Sequence, residues 1–164
     1  MNSIEQEVGI LLRQKKLTLG VIESATGGLI SHLITNIPGS SDYYKGSITA
    51  YSNEIKIKIV GVNKDTISKY GAVSSQVAEE MAKGGSKILA VDICLSDTGI
   101  AGPAGTSPEK PVGLFYIGLS CPSGTYSQKH IFRGNREQNK LDAAMAALNW
   151  LKSHLTDTKQ NKAC

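Results

Sequence analysis

The sequence predicts a three-layer α/β/α sandwich around a mixed, mostly parallel five-stranded sheet. Short β-rich segments alternate with helical segments along most of the chain, which is typical of parallel strands whose crossover helices cover both faces of a sheet. Near the end, two β-rich segments flank the turn Pro122-Ser123-Gly124 and predict an antiparallel hairpin. The length of 164 residues fits one domain, which we predict to span residues 1–164.

The first half of the chain shows helical spacing of apolar residues, capping residues and turn signals that divide it into alternating elements. Ser3 has the position of an N-cap, and Pro38-Gly39 ends the second helix. The predicted elements are a helix over 3–16, a strand over 18–23, a helix over 29–37, a strand over 44–51 and a short helix over 53–60.

The second half continues the alternation and ends in a long helix. Its predicted elements are a loop with one helical turn over 62–71, a helix over 75–89, a strand over 93–98, a long loop to 111, strands over 113–120 and 125–132, and a helix over 136–155. In the last helix we expect Leu141, Met145, Leu148 and Leu151 to face inward. A polar tail from about residue 156 is predicted to be frayed.

Composition and charge exclude several classes of protein. The net charge of +4 comes from scattered lysines and arginines, and aromatic residues make up only 5%, so we expect no nucleic-acid partner. The chain lacks a run of about 18 apolar residues and a signal-peptide pattern at its N-terminus, so we expect no membrane partner. The 17 glycines instead suggest tight turns of the kind that bind phosphates or oxyanions.

The three cysteines, Cys94, Cys121 and Cys164, are odd in number and have no CxxC spacing. A disulfide framework or a zinc site is therefore not expected, and free thiols fit a cytoplasmic location. We expect no metal and no cofactor.

Three segments rich in hydroxyls and glycines follow predicted strands, where open α/β sheets bind their ligands. They are residues 23–28, 51–56 and 98–105. Ser24 is the first candidate nucleophile, since the backbone N–H groups of the turn that follows it could stabilise an oxyanion. The alternative is that Ser24 or Thr26 only caps the next helix.

A serine nucleophile needs a base, and the three histidines are poorly placed to provide one. A buried lysine can lose its proton and act instead, which makes Lys56 and Lys58 candidates. The alternative is that both are solvated surface lysines. The glycine- and proline-rich loop over 99–113 is either functional or a plain connection. Arg136 and Lys140 either bind an anion together or lie on a solvated helix face.

Several long motifs occur in one order: ESATGGLIS, PGSSDYYKGSITAYSNEIKIKIVGV, YGAVSSQVAEEMA, DTGIAGPAGTSPEKPVG and the weaker FRGNREQ. Together they resemble the CinA C-terminal domain, which also occurs as a stand-alone nicotinamide-mononucleotide amidase. The resemblance covers about residues 17–147, nearly the whole chain. Longer CinA chains carry an additional nucleotide pyrophosphatase domain, for which we expect no room in 164 residues.

The resemblance implies a three-layer α/β/α fold with a mixed five-stranded sheet, and hydrolysis of the carboxamide of nicotinamide mononucleotide by a Ser–Lys pair without a metal. The catalytic residues that this resemblance implies are Ser24 as the nucleophile, Lys56 rather than Lys58 as the base, and Tyr51 beside that lysine. The partner is a small-molecule nucleotide, and the chain is expected to form a homodimer. The remaining residues assigned to oxyanion or substrate binding are Thr26, Gly27, Gly28, Asn53, Thr98, Gly99, Gly102, Arg136 and Lys140.

The sequence departs from the family pattern at three places. Ala25 stands where a cysteine is common, which leaves Ser24 as the one nucleophile of that motif, and Asn135 and Lys140 stand where aspartate and arginine are common. A lysine binds phosphate as a point charge, without the bidentate contact of arginine. The rival hypothesis is a non-catalytic protein that binds a nucleotide or a partner protein, as competence- and damage-inducible proteins of this family could do.

Overall fold

The computed structural model describes residues 2–157. The predicted polar tail lies almost wholly outside the described residues. The strands are β1 (Leu19–Glu23), β2 (Tyr44–Thr49), β3 (Ile93–Gly99), β4 (Leu114–Cys121) and β5 (Gly124–Ile131). The helices are α1 (Ile4–Lys15), α2 (Leu29–Thr35), α3 (Asn53–Ile55), α4 (Lys64–Tyr70), α5 (Ser75–Ile88) and α6 (Arg136–Thr156), with a 3₁₀ turn at Ser40–Asp42 and a π-helical turn at Lys56–Val60.

The five strands form one sheet in the order β2-β1-β3-β4-β5. The pairs β1–β2 and β1–β3 are parallel, whereas β3–β4 and the hairpin β4–β5 are antiparallel. Four strands therefore run in one direction and β4 runs against them. Because β4 has two partners, half of the strand pairs are antiparallel, and the expected mostly parallel sheet is matched only in part.

Helices cover both faces of this sheet, which confirms the three-layer prediction. On one face α1, α2 and α6 enclose a core around residues such as Leu19, Val21 and Leu95. On the other face α5 packs on β1, β3 and β4, and its core includes Ile22 and Cys94. All five residues of β1 are buried because this strand lies between helices on both sides.

Most predicted elements are confirmed, and their ends agree within a few residues. Ser3 caps α1 and accepts a hydrogen bond from the N–H of Gln6. Two predictions are wrong. Residues 64–70 form the helix α4 rather than a loop with one turn, because Asn63 caps its start and accepts from the N–H of Asp65. Leu141 is 39% exposed, because small residues such as Ala143 and Ala144 occupy the inner face of α6.

Candidate active site

A cleft of about 280 Å³ opens where β1, β2 and β3 end. The strand that follows β1 along the chain, β2, lies on one side of the pair β1–β3, and the strand that follows β3, β4, lies on the other side. The space between β1 and β3 is therefore the kind of switch point where α/β sheets bind ligands. The cleft is lined by Ser24 and Ala25, by Tyr51, Asn53 and Lys56, by Ala72 and Val73, by residues 98–102 with Ala104 and Gly105, and by Arg136.

Ser24 and Lys56 lie in direct contact in this cleft. The distance between Lys56 Nζ and Ser24 Oγ is 2.9 Å, although the two residues are 32 positions apart. The same Nζ lies 2.8 Å from the carbonyl oxygen of Ala50 and 3.2 Å from that of Tyr51. Lys56 is only 2% exposed and Ser24 is 7% exposed. The amine is therefore shielded from water and touches one hydroxyl and two carbonyls.

Burial lowers the pKa of Lys56 below its ordinary value of 10.5, and the charge of Asp97 opposes this effect. A neutral amine has two N–H donors and one lone pair. If the two donors bind the carbonyls of Ala50 and Tyr51, the lone pair faces the Ser24 hydroxyl. This is the arrangement in which a lysine can accept a proton from a serine.

A short helical segment after β2 directs Lys56 into the cleft. Ser52 caps α3 and accepts from the N–H of Ile55, and the chain then forms the π-helical turn that begins at Lys56. π-Turns of this kind occur often at functional sites. Two residues later, Lys58 points into solvent and pairs with Glu54 at 2.7 Å. The two candidate lysines thus have opposite environments.

Two carboxylates that we did not predict as site residues hold the turn that follows Ser24. Asp97 accepts from the N–H groups of Ser24 and Thr26, both at 3.0 Å. Glu23 accepts from the N–H groups at the start of α2, those of residues 28, 30 and 31. Both carboxylates are fully buried. A signal was present, because both stand in segments predicted as strands of a sheet that helices cover on both faces, where an acidic side chain needs a structural reason.

Neither Ser24 nor Thr26 caps α2, so the alternative hypothesis, that one of them serves only as the helix cap, is wrong. The N-cap position is Gly28, which has no side chain, and Glu23 takes the capping role. Ser24 Oγ contacts Lys56 instead, and Thr26 Oγ1 contacts the two carboxylates.

The backbone N–H groups of residues 26–28 already have acceptors. The N–H of Thr26 donates to Asp97, that of Gly27 to the carbonyl of Ser24, and that of Gly28 to Glu23. They are not available to an oxyanion in this arrangement. Within the described part of the chain the N–H of Ala25 donates to no acceptor, and Ala25 lines the cleft.

Nearly the whole of the described chain matches a known family. The CinA C-terminal domain matches residues 1–155. The chain belongs to the CinA C-terminal domain family. A CinA-like protein of Dictyoglomus thermophilum is 49% identical over 154 residues, covering 93% of this chain and 37% of the relative. A CinA-like protein of Thermotoga maritima is 43% identical over 157 residues, with the same two coverages. The chain thus spans little more than a third of the length of these relatives.

Solved structures of the CinA superfamily share the fold. A competence/damage-inducible protein CihA of Agrobacterium tumefaciens is 31% identical, with a TM-score of 0.86 over 96% of this chain and 98% of that one. A competence or damage-inducible protein of Enterobacter asburiae is 26% identical, with a TM-score of 0.91 over 95% of this chain and all of that one.

In this CinA domain the mouth of the cleft is bounded by Tyr51 and Arg136. Tyr51 contributes its carbonyl to Lys56, whereas its side chain is 62% exposed and its hydroxyl accepts from Arg136 Nη2 at 3.1 Å. Arg136 Nη1 donates to the carbonyl of Gly102 at 2.7 Å. Gly102 has φ 92°, and a Cβ there would lie 2.6 Å from a methyl of Val112, so the loop requires glycine at this position.

The other predicted site residues of the CinA domain divide into two groups. Asn53, Thr98 and Gly99 line the cleft, and the Thr98 hydroxyl donates to the carbonyl of Ala72 at 2.8 Å, which ties the opposite wall to β3. Lys140 is not one of the described residues that line the cleft. The Nζ of Lys140 lies close to Gly27, 3.6 Å from the position that a Cβ of that residue would occupy.

Residues 2–157 of the CinA domain contain neither a side-chain cluster that could hold a metal ion nor a helix that could span a membrane. No group of three or more His, Cys, Asp or Glu side chains is placed to hold a metal ion in that range. No helix there has the length and apolar character needed to cross a membrane.

Proposed function

We propose that this chain hydrolyses the carboxamide of nicotinamide mononucleotide to nicotinic acid mononucleotide and ammonia. The observation that carries the proposal is the buried contact of 2.9 Å between Lys56 Nζ and Ser24 Oγ, with two carbonyls occupying the other positions around the amine. The family resemblance supplies the substrate. The cleft of about 280 Å³ and its polar lining are compatible with the reacting part of a mononucleotide.

In the proposed reaction, neutral Lys56 takes the proton of the Ser24 hydroxyl while Ser24 Oγ forms a bond to the amide carbon. The tetrahedral intermediate collapses, the C–N bond breaks, and charged Lys56 returns the proton to the leaving ammonia. Lys56 then deprotonates a water molecule, which attacks the acyl-enzyme ester. The ester bond breaks, the acid is released, and Lys56 returns the proton to Ser24 Oγ. The free N–H of Ala25 is the donor that this turn offers to the oxyanion.

Arg136 is proposed to bind the phosphate. Its guanidinium already lies at the mouth of the cleft, where it donates to a tyrosine hydroxyl and to a backbone carbonyl. A phosphate is a stronger, charged acceptor that can take two parallel hydrogen bonds from such a group. Lys140, from its position near Gly27, would add a positive charge without a second guanidinium.

Ammonia release from nicotinamide mononucleotide tests the function, and Ser24→Ala tests the mechanism. We expect the wild-type protein to release ammonia and the variant to release none above background, because no other hydroxyl contacts Lys56 Nζ among the described residues. Ser153→Ala is the matched control, since this serine lies exposed on α6, remote from the cleft. Turnover retained by Ser24→Ala would rule out the covalent mechanism.

The same experiment separates the enzyme from a binding protein. If the wild-type protein binds nicotinamide mononucleotide in calorimetry but releases no ammonia, the chain is a nucleotide-binding module. If it neither binds nor turns over this nucleotide, the proposed substrate is wrong. The homodimer, the lack of nucleic-acid and membrane partners, and the cytoplasmic location stay predictions.

A further inference from the structure

The proposed reaction makes no use of the two buried carboxylates beneath it. Glu23 from β1 and Asp97 from β3 are both 0% exposed, and both reach the same hydroxyl. Thr26 Oγ1 lies 2.7 Å from Glu23 Oε2 and 2.5 Å from Asp97 Oδ2. We call Glu23, Thr26 and Asp97 the carboxyl cluster.

Proton counting shows what these two contacts require. A threonine hydroxyl has one proton to donate, and an ionised carboxylate only accepts. If both carboxylates were ionised, one of the two short contacts would bring together two oxygens with no proton between them. Each contact can be a full two-centre hydrogen bond only if one carboxyl group also carries a proton. The geometry therefore favours two protons in the carboxyl cluster, one of them on a carboxyl group.

The surrounding donors indicate which carboxyl group is protonated. Glu23 accepts from three backbone N–H groups at 2.9 to 3.0 Å, those of Gly28, Ile30 and Ser31, and such bonds favour a negative charge. Asp97 accepts from two N–H groups, those of Ser24 and Thr26. The proton is better placed on Asp97, which then donates to Thr26, while Thr26 donates to Glu23.

We infer that Asp97 shares a proton with Glu23 through Thr26, and that Asp97 is thereby a positioning residue whose protonation state sets the charge that faces Lys56. The catalytic part of this inference rests on the proposed Ser24–Lys56 reaction. The protonation of the carboxyl cluster itself does not depend on that reaction.

The charges around the carboxyl cluster agree with this inference. Burial raises the pKa of Asp97 from 3.8 to about 6, with a smaller contribution from the charge of Glu23, although the hydrogen bonds from Thr26 and from the N–H of Ser24 act in the opposite direction. An ionised Asp97 would raise the pKa of Lys56, against the effect of burial. A proton on Asp97 removes that opposing charge, so that burial alone acts on the amine.

Other titratable groups face the carboxyl cluster from neighbouring elements. Lys56 approaches from the segment after β2, and Lys140 of α6 lies over Gly27. Burial, and to a smaller extent the charge of Glu23, raises the pKa of Tyr44 of β2. The Tyr44 hydroxyl contacts the side chain of Ser31. These groups belong in any fit of the pH dependence.

The first test detects the proton directly and needs no activity. Infrared spectra of the wild-type protein are compared with those of Asp97→Asn at about pH 5.5, where exposed carboxyls with pKa values of about 4 are mostly ionised. We expect the C=O stretch of a protonated, buried carboxyl in the wild-type protein and its loss in Asp97→Asn. Absence of that band from the wild-type spectrum would overturn the inference, whether or not the protein hydrolyses the nucleotide.

The second test measures the role toward Lys56 with a matched pair, Thr26→Ser and Thr26→Val. Serine keeps the hydroxyl that accepts the Asp97 proton, whereas valine has nearly the same shape without it. We expect the midpoint of the pH profile of ammonia release to rise by about one pH unit in Thr26→Val, because Asp97 then ionises more readily beside Lys56. Thr26→Ser should keep the wild-type midpoint.

Asp97→Asn completes the second test, because asparagine is neutral at every pH. We expect this variant to have a midpoint no higher than that of the wild-type protein, even if its rate is lower. A midpoint raised as much as in Thr26→Val, or an unchanged midpoint in Thr26→Val, would show that Asp97 is only structural. Circular dichroism of each variant verifies folding, and the Thr26 pair, examined by infrared as well, decides the matter if Asp97→Asn does not fold.

Discussion

Two backbone carbonyls, in addition to burial, fix the orientation of the Lys56 amine. The chain turns after β2 so that the carbonyls of Ala50 and Tyr51 both face Nζ, at 2.8 and 3.2 Å. A buried amine without such acceptors would pay a desolvation penalty for its own N–H groups. With these two acceptors in place, the third position around Lys56 Nζ faces Ser24 Oγ. The residue is thereby held in one orientation before any substrate arrives.

Replacing Lys56 by methionine tests this role at the scale of one residue. Methionine fills a similar volume without a proton acceptor, so we expect ammonia release to fall by roughly 10²- to 10⁴-fold, the usual contribution of a general base. Stability should change little, because a buried apolar side chain replaces a desolvated amine. Steady-state kinetics and thermal unfolding measure the two effects.

Lys58→Met is the control for this substitution. The side chain of Lys58 is 68% exposed and forms only a surface pair with Glu54, and such pairs contribute about 0–1 kcal/mol. Its turnover should match that of the wild-type protein. Equal losses in the two lysine variants would contradict the assignment of the base.

Asp97 makes a prediction about stability. Its pKa is raised from 3.8 to about 6 in the folded protein, so between these pH values the folded state binds more protons than the unfolded state. The free energy of unfolding therefore falls as the pH rises through this window, by about 3 kcal/mol for a shift of this size. Urea unfolding at a series of pH values measures it against Asp97→Asn.

The asparagine variant has no proton to lose at this position and should not show that decline. The difference in stability between the two proteins should thus favour the variant more strongly at about pH 6 than at about pH 4. Parallel curves over this range would contradict the raised pKa of Asp97.

At the scale of elements, the close approach of α5 to the sheet supports the floor of the cleft. Gly85 lies on the inner face of this helix, where an added Cβ would be 2.3 Å from Ile22 Cγ1 and 2.6 Å from Cys94 Sγ. These neighbours stand in β1 and β3, the strands that end at Glu23 and Gly99. The absence of a side chain at Gly85 thus allows α5 to pack directly on the two strands that precede the site.

Gly85→Ala tests this packing. Alanine improves helix propensity by about 1 kcal/mol, but forcing a methyl group into a filled core costs typically 1–3 kcal/mol. We expect a net loss of up to about 2 kcal/mol in the free energy of unfolding, measured in urea. Lys87→Ala, on the exposed side of the same helix, should change stability by less than about 0.5 kcal/mol. A more stable Gly85→Ala would show that the sheet can yield at this point.

At the scale of the whole molecule, the cleft joins parts of the chain that are far apart in sequence. Arg136 at the start of α6 reaches Gly102, 34 positions earlier, and Tyr51, 85 positions earlier. Asn135 caps α6 and accepts from the N–H of Gln138, which fixes where this helix begins and so where Arg136 stands. The last helix thereby closes a site built mainly by the first three strands.

Arg136→Gln tests whether this closure serves a phosphate. We expect the KM for nicotinamide mononucleotide to rise by about tenfold or more, the usual effect of losing a charge-assisted hydrogen bond of about 1.5–3 kcal/mol. Nicotinamide riboside, which lacks the phosphate, should show no comparable increase. Arg133→Gln is the control, because Arg133 is exposed just before the same helix. Equal increases for both substrates would assign Arg136 a structural role only.

Most of the fold could be predicted because its signals are local. The cap at Ser3, the turn at residues 122–124 and the alternation of segments each involve neighbouring residues. The two errors have a common cause. The helix α4 buries none of its residues, so an apolar pattern could not reveal its extent, and in α6 alanines rather than Leu141 face the core. In both places the positions of large apolar residues were a poor guide to the structure.

The sequence by itself determined the order of the elements, the strand ends at which a site could form and, through the resemblance, the pair Ser24 and Lys56. Only the tertiary structure decided that Lys56 is buried while Lys58 is exposed, and that Glu23 and Asp97 support the turn. The physical reason is distance along the chain. A backbone carbonyl, a buried carboxylate and an amine act on one another through space, and the contact between Asp97 and Ser24 spans 73 positions that no local pattern records.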